Sequence, residues 1–269
     1  MSTGNDRALR FYHEVLGLER LHYGMWLPED TVSFQRLLEA QERYENYLVD
    51  NIPDDVRTIL DVGCGTGVLI KKLISLGYEA EGLSPDVNQK RIFMQNVNAC
   101  LHHSTFEAFS ETDRYDCIIM SESAQYIKVS KLFKNAKRAL KKDGHLMICD
   151  YFVLKNVTRE LGKSGHDYEV FMSQAQDNGF TVVSEKDITE SVTKTLDLGN
   201  NIAEKALKAL DIVTEKARNK HPHICRFILW AFRKKIDKLL QQKQMLDSGE
   251  FKKRKTYRFI LLQADGNPV

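Results

Sequence analysis

A short apolar run, Thr58-Ile59-Leu60-Asp61-Val62, leads straight into glycines at alternate positions, Gly63, Gly65 and Gly67. The run reads as a buried parallel strand. After it Val68, Leu69, Leu73, Ile74 and Leu76 are apolar at helical spacing, with Lys71 and Lys72 solvated. Strand, glycine turn and helix form the first βα unit of a doubly wound fold, where ligands sit beyond the carboxyl ends of the strands. The spacing narrows the ligand. A dinucleotide fingerprint, G-x-G-x-x-G, needs its third glycine at position 68, where Val68 stands. The phosphate loop G-x-x-x-x-G-K-[ST] is absent too. Asp61, at a strand end beside a glycine turn with no phosphate-binding lysine, suits a cationic ligand that carries an ammonium and a carboxylate.

The unit repeats along the 269 residues. Glu79 to Leu83 reads as a second strand, followed by a helix opened by Asp86 with Ile92, Phe93 and Val97 on one face. A polar third strand ends near Ser104 to Glu107, Tyr115 to Met120 is an apolar fourth, Val129 to Leu140 a helix, and His145 to Tyr151 a fifth strand. This alternation predicts an α/β fold of doubly wound, Rossmann-like type: a mostly parallel seven-stranded sheet with helices on both faces. Residues 152–166 are polar and read as a loop; Tyr168 to Ala175 is a helix and Phe180 to Val183 a sixth strand. Residues 198–247 then read as long helices broken at Pro222, with Ile228, Ala231, Phe232, Ile236 and Leu239 as an apolar stripe. Tyr257 to Leu262 is the closing strand. Four parts follow: N-terminal helices over the site (1–52), a ligand-binding core (53–195), a helical cap inserted before the last strand (196–250), and the closing strand (251–269). In the first part Leu9, Tyr12, Val15 and Leu16 have helical spacing, as do Phe34, Leu37, Leu38, Tyr44 and Leu48, with Asp30 or Thr31 as candidate cap.

Composition bounds the partners. Net charge is +2 at pH 7, so overall charge favours no nucleic acid. Five cysteines, Cys64, Cys100, Cys117, Cys149 and Cys225, form no C-x-x-C pair and read as reduced, mostly buried thiols of a cytoplasmic protein. No apolar leader and no run long enough for a membrane span is present, so no stable membrane insertion is expected. The run Lys252-Lys253-Arg254-Lys255 reads as a solvated turn. His102-His103 has no third ligand at metal spacing, and no metal is predicted.

Leu60-Asp61-Val62-Gly63-Cys64-Gly65-Thr66-Gly67 resembles motif I of the class I S-adenosylmethionine (SAM) methyltransferases. The resemblance implies that Asp61 lies close to the SAM ammonium. It also implies that the backbone of Gly63, Cys64, Gly65 and Gly67 approaches the amino-acid end, where β-carbons would clash. The acid that commonly binds the ribose should fall near Leu83; Glu81 is two residues early and Ser84 one late. Gly82-Leu83-Ser84-Pro85 instead resembles a segment of the tocopherol, sterol and cyclopropane-fatty-acid methyltransferases, in which a polar residue and a following Gln replace the acid. Leu83 and Ser84, with Asn88 or Gln89, are the candidates. Thr105-Phe106-Glu107 stands where that family places adenine contacts. Ser121-Glu122-Ser123-Ala124-Gln125-Tyr126 resembles its motif IV, which faces both the methionine arm and the acceptor. Phe11-Tyr12 with His22-Tyr23-Gly24 resembles its preface, and Asp187-Ile188-Thr189-Glu190-Ser191-Val192 its segment after strand six. The cofactor implied is SAM, with S-adenosyl-L-homocysteine (SAH) as product.

In-line methyl transfer needs a positioned nucleophile and exclusion of water, and a hydroxyl or ammonium acceptor also needs a base. Candidates on the acceptor side are His22, Tyr23, Glu122, Tyr126, Tyr151, His166 and Tyr168, with Tyr23 also a cofactor candidate. The implied function is methyl transfer to a small, apolar or amphipathic acceptor, a lipid, terpenoid or other natural product, at carbon or oxygen. Alternatives are N-methylation of a small polar amine and, in another class, a non-catalytic SAM-binding regulator. A nucleic-acid methyltransferase is disfavoured because Ser121-Glu122-Ser123 stands where an N-P-P-[YF] motif would. A homodimer is left open.

Overall fold

A computed structural model of the chain describes residues 17–154, 164–223, 233 and 246–266. The expected helix around Leu9 to Leu16, the Phe11-Tyr12 pair, the stripe from Ile228 to Leu239 and Cys225 lie outside the described residues. Helix α1 (Phe34–Asp50) buries Leu37, Ala40, Tyr44 and Leu48, one stripe at helical spacing. Its cap is Ser33, whose hydroxyl accepts from the Arg36 amide at 3.3 Å, not Asp30 or Thr31. Asp30 instead accepts from the Leu27 amide and pairs with Arg43.

The core alternates as the periodicity predicts: β1 (Thr58–Val62), α2 (Val68–Ser75), β2 (Glu79–Leu83), α3 (Val87–Asn96), β3 (Leu101–His102), β4 (Tyr115–Ser121), α4 (Val129–Ala139) and β5 (Leu140–Val153). Then come β6 (His166–Asp167), α5 (Tyr168–Asp177), β7 (Phe180–Asp187), α6 (Thr189–Val192), α7 (Lys194–Lys220), α8 (Ser248–Arg254) and β8 (Lys255–Ala264). The sheet order is β3-β2-β1-β4-β5-β8-β7, so seven strands make the continuous path. Two-residue β6 adds an eighth on β5, inside the span read as a loop. β3 ends before Ser104, because Phe106–Ala108 winds into a short 3-10 turn. Strands β1 to β5 pair in parallel, and β8 runs antiparallel to β5 and β7.

Each sheet face has its own core. Leu60, Val62, Leu83, Phe106, Met120, Leu132, Phe133 and Phe171 pack one face under α4 and α5. Ile59, Cys64, Leu69, Ile70, Phe93, Tyr44, Leu48 and Tyr257 pack the other under α1, α2 and α3. Among the described residues, helix α7 packs near its start, where Leu198 and Ile202 meet Leu18, Trp26 and Leu37, and further on Ile212 and Val213 are exposed. It ends at Lys220, two residues before Pro222. No helix among the described residues is long and apolar enough to cross a membrane.

From β1 the chain turns to β2 on one side, while β4 lies on the other. The carboxyl ends of β1 and β4 therefore flank the switch point where open α/β sheets place ligands. Gly67 supports this corner from below. It has φ +84°, and a β-carbon there would lie 2.7 Å from Phe93 and 2.9 Å from Val97. Gly67→Ala combines backbone strain with overpacking and should cost about 2–4 kcal/mol. A thermal melt should show the midpoint lower by roughly 5–15 °C on the usual scaling for this size; an unchanged midpoint would contradict this reading of the glycine.

Candidate active site

At the end of β1 the Asp61 carboxyl is 3% exposed, and no hydrogen bond reaches it from the described residues. Burial pushes it up to about 7; the nearby His22 opposes that rise and Glu45 adds to it. A buried carboxylate without a donor is costly to ionise, and a cation placed against it would offset that cost. Beside it the turn is open at one point. A β-carbon on Gly65 would meet only Leu21 Cδ1, at 4.0 Å. The other glycines serve packing: one on Gly63 would collide with Ser123 at 2.5 Å, and one on Gly82 with Cys64 Sγ at 2.7 Å. Cys64 and Gly67 thus face the protein, and the open side of the turn lies between Asp61 and Gly65.

The preface closes over this corner. The Thr66 hydroxyl donates to the Glu19 carbonyl at 2.6 Å. Gly24 packs against α1, where a β-carbon would lie 2.6 Å from Ala40 Cβ, and the Met25 amide donates to the Ala40 carbonyl at 2.7 Å. Trp26 and Gly24 both donate to the Thr195 hydroxyl, at 2.8 and 3.1 Å. His22 stacks on Tyr44 with ring centres 4.6 Å apart, and its Nδ1 lies 2.7 Å from the Tyr23 carbonyl. Its Nε2 lies 3.4 Å from Glu45 Oε1. Burial pushes Glu45 up, but the hydrogen bonds from His22 and Arg20 outweigh it and leave its carboxyl below the usual range.

Glu122, just past β4, has φ +54°. Its Oε1 accepts from the Tyr23 amide at 2.7 Å and from the Tyr257 hydroxyl at 2.8 Å. Tyr257 OH is 3.0 Å from Tyr44 OH, which is 3.0 Å from Ser121 Oγ. Burial raises the Glu122 carboxyl and lifts both phenols far above 10. The phenols stay protonated donors, and Glu122 is the proton acceptor of the group. One residue deeper on β5, Asp150 accepts from the Gln125 and Tyr151 amides at 3.0 and 2.8 Å; burial pushes it up to about 8.

The fold gathers His22, Tyr23, Asp61, Gly63, Gly65, Ser121 and Glu122 around the ends of β1 and β4. The remaining sequence candidates take the following places. Leu83 is core, its carbonyl accepting from the Gly63 amide at 2.8 Å. Ser84 Oγ donates to Gln89 Oε1 at 2.7 Å at the start of α3. Phe106 is 2% exposed, stacked on Phe109 in the core. Thr105 is exposed, and Glu107 accepts from the Lys128 amide at 3.4 Å. Tyr126 is 70% exposed on a 3-10 turn. His166 Nε2 donates to the Ala124 carbonyl at 2.9 Å, and its ring stacks on Phe171. Sequence reasoning passed over Glu45, Asp150, Tyr257 and Lys255. Asp150 carried a visible signal, an acid closing an apolar strand just as Asp61 does. Tyr257 carried none, since it stands in an unbroken apolar strand pattern.

Glu81, Cys100 and His102 come together at the sheet's edge, their ligand atoms within 4.8 Å of one another. The linear spacing around His102-His103 did not show this grouping, because Glu81 comes from the neighbouring strand β2. Glu81 is already held by His102 at 2.7 Å, Tyr115 at 2.7 Å and Arg114 at 2.5 Å, and a guanidinium there opposes a metal cation. His103 points elsewhere, 3.2 Å from the Pro85 carbonyl.

Known proteins resemble this chain in sequence and in fold. A family model described as "Methyltransferase domain" matches residues 35–194. A ubiquinone biosynthesis O-methyltransferase of Bartonella tribocorum is 27% identical over 165 residues, 52% of this chain and 67% of its own length. The cyclopropane synthase MmaA2 of Mycobacterium tuberculosis superposes with a TM-score of 0.67 at 17% identity, over 96% of this chain and 94% of that one. A geranyl diphosphate C-methyltransferase of Streptomyces coelicolor, solved with Mg2+, geranyl diphosphate and SAH, superposes with a TM-score of 0.67 at 14% identity, over 98% of each chain. At these identities the two structures establish the fold.

Proposed function

This chain belongs to the methyltransferase-domain family and is a SAM-dependent enzyme; from that premise we propose that it methylates a small, apolar or amphipathic acceptor at carbon or oxygen. The observation that carries the reading is Asp61, a buried carboxylate without a donor, beside the open cradle at Gly65. The partly buried rings of Tyr23 and Tyr151, with Glu122 as a proton acceptor held by the Tyr23 amide and Tyr257, support an acceptor that is mostly apolar.

Bound in the cradle, SAM supplies an electrophilic methyl carbon on its sulfonium. Asp61 holds the ammonium; Gly65 leaves room for the amino-acid end; Ser84 and Gln89 stand at the β2 edge to meet the ribose. Tyr23 and the segment around it exclude water, latched by Glu122. Glu122 Oε2 receives no hydrogen bond from the described residues, so that oxygen takes the acceptor's proton.

Gly65→Arg fills the cradle at a position with φ +54° and should abolish SAM binding in calorimetry. Normal affinity in that variant would refute the site. The acceptor class is tested with SAM carrying a labelled methyl group, incubated with the protein and an extract of source cells. Label partitioning into organic solvent supports the reading. Label confined to water moves the acceptor to a polar amine or acid. SAM bound with no transfer favours a regulator.

A further inference from the structure

The basic run at 252–255 divides in the fold rather than forming one solvated turn. Lys252 pairs with Glu190, while Lys253 and Arg254 reach Glu250 at 2.8 and 2.6 Å. These three close α8. Lys255 opens β8, and because β8 runs antiparallel to β5, its first residues stand at the carboxyl edge of the parallel strands. That is the edge holding Asp61 and Glu122.

Lys255 is partly buried and has no ion-pair partner among the described residues. Its Nζ sits 4.2 Å from the centre of the Tyr151 ring and 6.0 Å from that of Phe251, and donates to Ser164 Oγ at 3.1 Å. Burial lowers it to about 8, against the pull of Asp150. An ammonium has three donors. Ser164 uses one, and the Tyr151 face is attractive but accepts no strong bond. A partly desolvated cation with no carboxylate at ion-pair distance among the described residues is costly, and it stands where the Tyr151 and Phe251 rings flank it. An anionic oxygen on an apolar body satisfies both features.

We propose that Lys255 sets acceptor specificity by binding a carboxylate, so that the methyl acceptor is an apolar carboxylic acid whose body lies against Tyr151 and Phe251. The proposal rests on the methyltransferase reading of the same site and names the acceptor class within it.

The test uses the full chain saturated with SAH and two probes of one shape, 2-naphthoate and its neutral amide, 2-naphthamide, titrated by calorimetry. Wild type should bind the acid roughly tenfold or more tightly than the amide, the scale of one charge-assisted hydrogen bond. Lys255→Met should erase that preference and Lys255→Arg should restore part of it, with SAH affinity unchanged within about twofold, since neither variant touches the cradle. Equal binding of acid and amide by wild type, no binding of either at millimolar concentration, or a preference that survives Lys255→Met would each overturn the proposal while SAH still binds. Failure of SAH to bind would instead remove the methyltransferase reading of the site, and this proposal with it. If Lys255→Met does not fold, wild type and Lys255→Arg still decide.

Discussion

Asp61→Asn should weaken SAM binding by about a hundredfold or more while making the unliganded protein more stable. Both effects have one cause. The wild-type carboxyl is buried without a donor and titrates near 7, well above its unperturbed 3.8. An acid whose folded pKa is raised makes the native state bind more protons than the unfolded chain. Stability therefore falls as pH rises from about 4 to about 7 and levels off above that. The amide does not titrate, so the variant lacks this slope. At pH 8 it should gain on the order of 2–4 kcal/mol unliganded, seen as a higher melting midpoint. Saturating SAM should reverse the order, because a ligand stabilises only as far as it binds, and removing one partner of a buried charge pair costs about 2–5 kcal/mol. Wild-type SAM affinity should also rise with pH up to about 7, as Asp61 ionises. Calorimetry and melts with and without SAM measure all of this. Equal SAM affinity in wild type and variant would remove Asp61 as the ammonium partner.

Glu122→Gln should leave SAM affinity within about threefold and lower turnover by about a hundredfold, within the range of general acid–base catalysis. The amide oxygen still accepts from Tyr23 and Tyr257, so the latch survives, but the residue no longer takes a proton. Burial raises the Glu122 carboxyl, so the wild-type rate should climb with pH across that raised pKa, and the Gln profile should lose the limb. Glu122→Ala removes the latch as well. It leaves the Tyr23 amide at 2.7 Å and the Tyr257 hydroxyl at 2.8 Å without their acceptor, and should lose SAM affinity along with turnover. The readout is transfer of labelled methyl to extract acceptors. Wild-type turnover in Glu122→Gln would show that Glu122 holds the site and moves no proton.

These two carboxylates mark how far the sequence alone reached. Asp61, the glycine turn and the βα alternation were legible because they are local. A strand's burial, a turn's positive φ and a helix's apolar stripe are set by residues within about ten positions of one another. The mostly parallel sheet of seven strands followed from that repetition, whereas the strand order and the antiparallel run of β8 emerged only in the fold. The roles within the turn did not. Gly63 is a glycine because of Ser123, and Gly67 because of Phe93 and Val97, partners 60, 26 and 30 residues away. His166 has the residue type of a base, yet its Nε2 is spent on the Ala124 carbonyl. Tyr257 looks like one more apolar strand residue, yet its hydroxyl ties Glu122 to Tyr44 across three elements. Lys255 sits in a charge run whose other members found carboxylates, while β8 carried it alone to the carboxyl edge. The sequence by itself determined which fold forms and where along the chain the cradle lies. Only the tertiary structure decided which polar groups are buried, which of those are partnered, and hence which retain the capacity to bind a ligand or take its proton, because desolvation and hydrogen-bond pairing depend on groups brought together across the whole chain.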